Sequence, residues 1–442
     1  MKDARPRALL GLGLIVAGIV ALAVSGNLSI HETRFAVFYG LSLAGFALLA
    51  TAARTLPLRG AILAAVVLRL ILLPGAPTLS DDYFRFAWDG RVQLSGINPY
   101  EHAPAASALD GVEYGDRDDV DFADLRTVYP PLAQVTFLGV AAADGGWLAF
   151  KVLFGAFDLA TAAAVWWLAD ARRRKAATVL YLLCPAVIVQ TWDAAHLESV
   201  AVFFVVLSAA LLGRRRDAAA GVALGIAAAF RLTPLGLLVP AVMGGRAKPA
   251  RLLAGFVPAF TIPYLPYLLT GGATGSLFES GTVWTGPALL FSPLARLVGP
   301  EVARVLSAAV FVAGAVWITR RLRGRANTAP AFAWTMTLLV LCLPVVHAWY
   351  WLAPLALALA AGLWLPVAIG LLAPISEAFP VGWPSALPPW RQAATIPMAR
   401  LRHRPLPAAD RAGGHASIRS RVVRDAHVPH TVWARPSTEG TR

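Results

Sequence analysis

The chain is a succession of apolar runs separated by short polar or basic breaks. The runs fall at about 8–24, 35–53, 60–75, 147–169, 176–191, 198–213, 252–270, 302–319, 329–346 and 349–372. A bilayer core ~30 Å thick takes about 20 apolar residues per helix. The pattern therefore predicts an all-α, polytopic membrane helix bundle of about 10–13 membrane helices, short broken ones included. Basic clusters close many of the runs: Arg54 with Arg59, Arg172–Lys175, Arg214–Arg216, Arg246–Arg251 and Arg320–Arg325. The positive-inside rule makes these the cytoplasmic ends. With the N-terminus inside, the segment 76–130, the turn Trp192–His196, the segment Thr270–Leu290 and His347 face the other side. Ala8–Val24 follows Lys2, Arg5 and Arg7, and no strong small-residue cleavage site comes after it, which predicts a retained first helix.

Two stretches break the simple count. Residues 218–243 have basic clusters at both ends, and one helix cannot have both ends inside. A hairpin of two short helices restores the parity, broken at Thr233-Pro234 because proline disrupts a helix interior. Arg231 then sits at its tip, on the side of segment 76–130. Broken helices at membrane depth usually line a cavity, since their free backbone groups need partners. Pro131–Ala143 is too short to span comfortably and reads as a re-entrant or interfacial helix, with a short full crossing as the alternative. Residues 1–389 form the membrane domain in this reading. Residues 390–442 contain 10 Arg, 3 acids and several Pro and Gly, and read as a basic, disordered cytoplasmic tail.

Composition narrows the class. Hydrophobic residues make up 57% of the 442 and charged residues 14%, against roughly 25% charged in soluble domains. Too few charges remain to cover a water-facing surface, which excludes a soluble enzyme and a disordered protein. The two cysteines, Cys184 and Cys342, lie inside apolar runs and read as core residues, which excludes a disulfide scaffold. The net charge of +14 comes from arginines at the ends of runs, so the membrane explains it and no nucleic-acid partner is implied. The acids are less evenly spread. Between Pro77 and Tyr129 there are 11 acids against 4 Arg, an acidic loop that charge does not retain on the cytoplasmic side.

Five places carry candidate chemistry. The first is Ser80-Asp81-Asp82-Tyr83-Phe84-Arg85-Phe86-Ala87-Trp88-Asp89-Gly90-Arg91, followed by Gly96-Ile97-Asn98-Pro99-Tyr100. Paired carboxylates at a membrane boundary are costly unless they hold a proton, a metal or a partner. At helical spacing Asp81/Asp82, Arg85 and Asp89 share roughly one face. The plain alternative is a solvated cap, with Ser80 and both aspartates at a helix N-terminus. The second is Tyr129-Pro130-Pro131-Leu132-Ala133-Gln134, which starts a helix whose first turn can leave amides free for an anion. The third is Asp193, His196 and Glu198 in one turn, able to relay a proton or ligate a metal, or simply a polar turn. The fourth is Arg231, the one charge between Asp217 and Arg246; a guanidinium there wants an anion, either a lipid phosphate or one of these acids. The fifth is His347-Ala348-Trp349-Tyr350-Trp351, an interfacial aromatic belt or a platform for a sugar or prenyl chain.

Taken in this order, the five resemble the bacterial GT-C glycosyltransferases that use polyprenyl-phosphate sugars, with the mannosyltransferase-like members of glycosyltransferase family 87 and relatives as apparent kin. The resemblance covers roughly Pro57 to Ala360. It implies a multi-pass protein of the bacterial inner (plasma) membrane with an extracytoplasmic site. Its donor would be a polyprenyl-phosphate sugar, mannose by resemblance, and its acceptor a cell-envelope glycolipid or polysaccharide. An acidic residue of the first outer loop, Asp82 or Asp81, would be the general base, and His347 would complete the catalytic set. Arg231, where such enzymes lead one to expect Lys, would bind the donor phosphate together with Arg85. Trp88, Asp89, Arg91, Asn98, Tyr100, Tyr129, His196, Glu198, Trp349 and Tyr350 would contact substrate. Glu198 stands where the usual companion of the outer-turn His is Asp. No P-loop or dinucleotide fingerprint is present. Asp81, Asp82, His196 and Glu198 could hold one divalent cation, and hydrogen bonds alone could suffice. A transporter or flippase of lipid-linked saccharides is the alternative, and a non-catalytic membrane scaffold a third reading.

Overall fold

A computed structural model describes residues 4–29, 31–277 and 288–378. The tail 390–442 and residues 278–287 of the segment Thr270–Leu290 lie outside the described residues. In chain order the helices are α1 (Ala4–Ala23), α2 (Glu32–Ala52), α3 (Leu58–Leu72), α4 (Asp82–Leu94), α5 (Pro131–Ala142), α6 (Trp147–Leu168), α7 (Arg174–Leu182), α8 (Pro185–Trp192), α9 (Glu198–Gly213), α10 (Asp217–Phe230), α11 (Leu238–Met243), α12 (Pro249–Thr261), α13 (Leu265–Leu268), α14 (Phe291–Val298), α15 (Pro300–Arg321), α16 (Ala329–Cys342), α17 (Leu352–Ala361) and α18 (Trp364–Leu372). No strand occurs among the described residues.

Four of these are long and apolar enough to cross a membrane alone: α1, α2 with its 3-10 extension to Thr55, α6 and α15. The other runs are cut into shorter pieces. Pro185 opens α8 at a 45° bend from α7. Pro258 lies inside α12, and Pro263 and Pro266 open the 3-10 turn and α13 that follow it in the run 252–270. Each proline lacks an N–H and crowds the preceding turn. The run 349–372 is broken at Gly362, whose φ of +73° ends α17 in the left-handed conformation that glycine tolerates. Asp217 to Met243 runs up as α10, leaves the helix at Arg231 in extended backbone, and returns through a 3-10 turn, Thr233–Leu237, and α11.

Small residues let the long helices touch backbone to backbone, as in membrane bundles generally. Gly11 and Gly45 face each other across α1 and α2. Gly221, Gly225 and Gly255 leave no room for a Cβ between α10 and α12. The two ends of the bundle differ in charge. At one end Lys175 Nζ donates to Arg54 O (2.8 Å), Arg214 Nη2 to Trp167 O (2.8 Å) and Arg246 Nη2 to Gly213 O (2.8 Å). That gathers the ends of α2, α6, α7, α9 and α11 into a basic rim. At the other end the acidic segment folds over α4 around Trp88, Val92, Leu109, Val112 and Val120. Between the ends a buried ion pair, Arg69 Nε to Asp158 Oδ2 (2.7 Å), joins α3 to α6. Arg69 Nη1 also reaches the Leu182 carbonyl at the α7–α8 break (2.8 Å).

Candidate active site

The site is built on the α7–α8 break and the turn after it. Gly155 leaves space on α6 for the Trp192 ring to lie flat, and Trp192 Nε1 donates to Asp158 Oδ2 (2.8 Å). The next residue, Asp193, accepts hydrogen bonds from Thr78 Oγ1 (2.9 Å) and the Leu79 N–H (3.1 Å). The turn that carries His196 and Glu198 is thereby fastened to the strand of chain leading into Ser80-Asp81-Asp82. Of the three expected capping residues only Ser80 caps, its Oγ accepting the Asp82 N–H at 3.2 Å. Asp81 holds the N-cap position without a side-chain bond, and Asp82 begins α4. The two carboxylates are left free for other partners.

Those partners differ. Asp82 Oδ2 lies 3.7 Å from Nδ1 of the fully buried His196. The His196 ring sits 3.7 Å from the Trp349 ring, and Trp349 stacks in parallel on His347 at 4.3 Å. Arg231 forms an ion pair with Glu198, its guanidinium 5.4 Å above Tyr129 and 5.7 Å above Tyr350. Glu198, Arg231, Trp349 and Tyr350, with Val202 and Met336, line a cavity of about 150 Å³. Buried polar atoms without a hydrogen-bond partner gather here: both ring nitrogens of His196, both carboxylate oxygens of Glu198, Trp349 Nε1 and Arg231 Nε. Behind them Phe86, Phe137, Phe150 and Phe154 pack with Tyr129 and Phe230 into an aromatic core that holds α4, α5, α6 and α10 in place.

The charges separate the adjacent aspartates. Burial raises Asp82, but His196, Arg231 and His347 outweigh it and hold its carboxyl below the ordinary range. Asp81 meets no cation. Burial, with Asp121, Asp82 and Asp119 around it, pushes it up to about 7. Asp121 is pushed up to about 6 by burial and by Asp82. Burial lowers His347 to about 4 despite the pull of Asp82, so it is a neutral imidazole at pH 7. Two adjacent carboxyls driven apart in this way can take different roles.

Other residues singled out in the sequence are engaged elsewhere. Arg85 binds Asp89 (2.9 Å) and the Leu125 carbonyl (3.0 Å). Asp89 also accepts from Gln134 Nε2 (2.7 Å), which ties α4 to α5. Trp88 is buried beneath Arg117 in the loop core. Arg91 pairs with Asp144 on the surface. Asn98 Nδ2 donates to Gly272 O (2.9 Å) and Tyr100 Oη to Tyr129 O (2.7 Å), which clamp the acidic segment to neighbouring chain. None of these six lines the cavity, and neither do Asp82, His196 and His347, which stand beside it through the His196–Trp349 and His347–Trp349 ring contacts. Asp81, Asp82, His196 and Glu198 do not converge on one point, because Arg231 engages Glu198 while Asp81 faces the acidic loop. No group of three or more His, Cys, Asp or Glu able to hold a metal occurs among the described residues. Sequence reasoning passed over Arg69 and Asp158. The signal was there, since charges inside apolar runs are rare and want partners.

No curated protein and no solved structure matches the chain. Residues 15–245 match one family, described as alpha-(1->6)-mannopyranosyltransferase, N-terminal domain. The matched residues include the aspartate pair, the His196–Glu198 turn, the ion pair at α3 and Arg231; the His347 aromatic run follows them. The chain is a multi-pass helical membrane protein and belongs to the MptA/B family of alpha-(1->6)-mannopyranosyltransferases.

Proposed function

We propose that the protein transfers a mannosyl residue from a polyprenyl-phosphate donor to a hydroxyl of a cell-envelope glycolipid or polysaccharide, with inversion, at the acidic end of the bundle on the extracytoplasmic side of the inner membrane. The observation that carries this reading is the placement of Asp82, its carboxyl held below the ordinary range, beside His196, whose ring packs on Trp349, while Arg231, Trp349 and Tyr350 wall the neighbouring cavity.

The donor is a phosphodiester with one negative charge, and its leaving group is a polyprenyl phosphate monoester. Arg231 shares its guanidinium with Glu198 and keeps Nε without a partner, free for a phosphate oxygen. Its fork of donors stabilises the charge that grows on the departing oxygens. Asp82 accepts the proton of the acceptor hydroxyl as that oxygen bonds to C1 and the C1–O(phosphate) bond breaks. Such base assistance contributes roughly 10²–10⁴-fold. With base and leaving group on opposite faces, a β-linked donor yields an α-mannoside, in keeping with the linkage in the family's description. Trp349 lines the cavity and its unpartnered Nε1 would donate to a sugar hydroxyl, and the prenyl chain would supply remote binding along apolar walls. The flippase alternative has no observation in its favour.

The test is a transfer assay on purified protein with polyprenyl-phosphate mannose and no nucleotide. Consumption of the donor with formation of an α-mannoside is expected. Turnover only with a nucleotide sugar would overturn the donor assignment.

A further inference from the structure

A second cavity, about 340 Å³, opens at the basic end of the bundle, away from Asp82. It lies where α1 begins, α2 ends, α7 begins and α17 gives way to α18. Helices α7–α8 and α17 each run from this cavity towards the candidate active site. The walls are mostly Ala and Leu with Val367 and Trp364, Thr51 and Thr55 add two hydroxyls, and the charged side chains among them are Arg54 and Arg173. Neither guanidinium has an acidic or hydrogen-bonding side-chain partner among the described residues. Both sit on ordered backbone. Arg54 is fastened through its carbonyl by Lys175 Nζ at 2.8 Å. Arg173 lies against the Gly362 Cα, and any side chain at 362 would collide with its Nη1. The Arg173 guanidinium makes no hydrogen bond to the end of α17, where the Leu359 carbonyl is bound by the Gly362 N–H (3.3 Å) and the Ala358 carbonyl by the Leu363 N–H (2.9 Å).

Two unpaired guanidiniums beside an apolar hollow, at a rim where basic residues meet the bilayer, match the chemistry of an amphiphilic phosphate. Arginine forks bind phosphate oxygens bidentately, and basic pockets between membrane helices hold anionic head groups. We propose that this cavity binds the phosphate of an anionic phospholipid between Arg54 and Arg173, with an acyl chain against the α1, α2 and α18 walls. The site is independent of the transferase site and of its donor.

The experiment uses the full-length protein, purified and stripped of lipid in detergent. Short-chain phosphatidylglycerol is titrated and followed by native mass spectrometry and thermal shift, with inorganic phosphate, glycerol phosphate and neutral diacylglycerol as parallel probes. Saturable binding of phosphatidylglycerol is expected, weakened about thirtyfold in R54Q/R173Q, on the basis of ~1 kcal/mol per arginine near a membrane surface. Arg54 is exposed, so R54Q alone, with a loss of roughly fivefold on the same basis, serves where the double variant fails to fold. Equal binding by wild type and variant overturns the site. Inorganic phosphate as effective as phosphatidylglycerol overturns the lipid assignment in favour of a soluble anion.

Discussion

A carboxylate takes a proton from a sugar hydroxyl only while it is charged, and Asp81 and Asp82 differ in that respect at neutral pH. The carboxyl of Asp82 is held below the ordinary range, with its His196 contact and Arg231 outweighing burial, whereas Asp81 is half protonated near pH 7. D82N is expected to lower kcat by roughly 10²–10⁴-fold while the protein still inserts; wild-type turnover would end its role as base. The pH profile gives an independent reading. A base loses activity as pH falls through its pKa. With Asp82 as base, kcat/KM stays flat as pH falls through neutrality and declines only below the ordinary carboxylate range. With Asp81 as base the fall begins already around pH 7. R231K keeps the charge but gives up the fork geometry, and is expected to raise KM for the donor about tenfold with a smaller effect on kcat.

At the scale of the element, the run 176–191 reads as one span but is two helices, α7 and α8. The signal was Pro185; what the pattern did not reveal was the partner that makes the break tolerable. Arg69 supplies it, with one nitrogen on the freed Leu182 carbonyl and another on Asp158, which in turn holds Trp192 and the Tyr181 hydroxyl (3.1 Å). R69M leaves Asp158 buried and unpaired. The expected cost is about 3–5 kcal/mol, measured as a lower unfolding midpoint in detergent. R69M/D158L is expected to recover much of it, since a buried pair replaced whole is often neutral. Failure of the double variant to recover would mean that Trp192 and Tyr181 depend on that carboxylate more than the charge balance does. The residues of the first motif tell a related story. Trp88, Asp89, Arg91 and Asn98, which the resemblance assigns to substrate, bind loop and helix together. Motif spacing alone cannot tell a residue that grips a ligand from one that grips its neighbour.

For the whole molecule, class and charge polarity were legible because they are sums along the chain: apolar run lengths, and arginines at their ends. The meeting of Asp82, His196, Arg231 and Trp349 was not legible from spacing, since 267 positions separate the first from the last. Only the assumption that their segments share one side of the membrane brought them near each other. That assumption can be tested directly. The native Cys184 and Cys342 are buried, so a cysteine placed at exposed Ser107 in the acidic segment is expected to react in intact cells with a membrane-impermeant maleimide. One at exposed Ala326, in the basic rim, is expected to react only after permeabilisation. The reverse result would turn the protein over and place the site in the cytoplasm.

The glycine seam between α10 and α12 has a consequence for traffic. Where Gly221, Gly225 and Gly255 bring two backbones into contact, there are no rotamers to swing aside, so that wall is a closed door to a hydrocarbon tail. A long-chain substrate approaching Arg231 from the bilayer has to come in through a wall whose backbones are held apart by movable side chains.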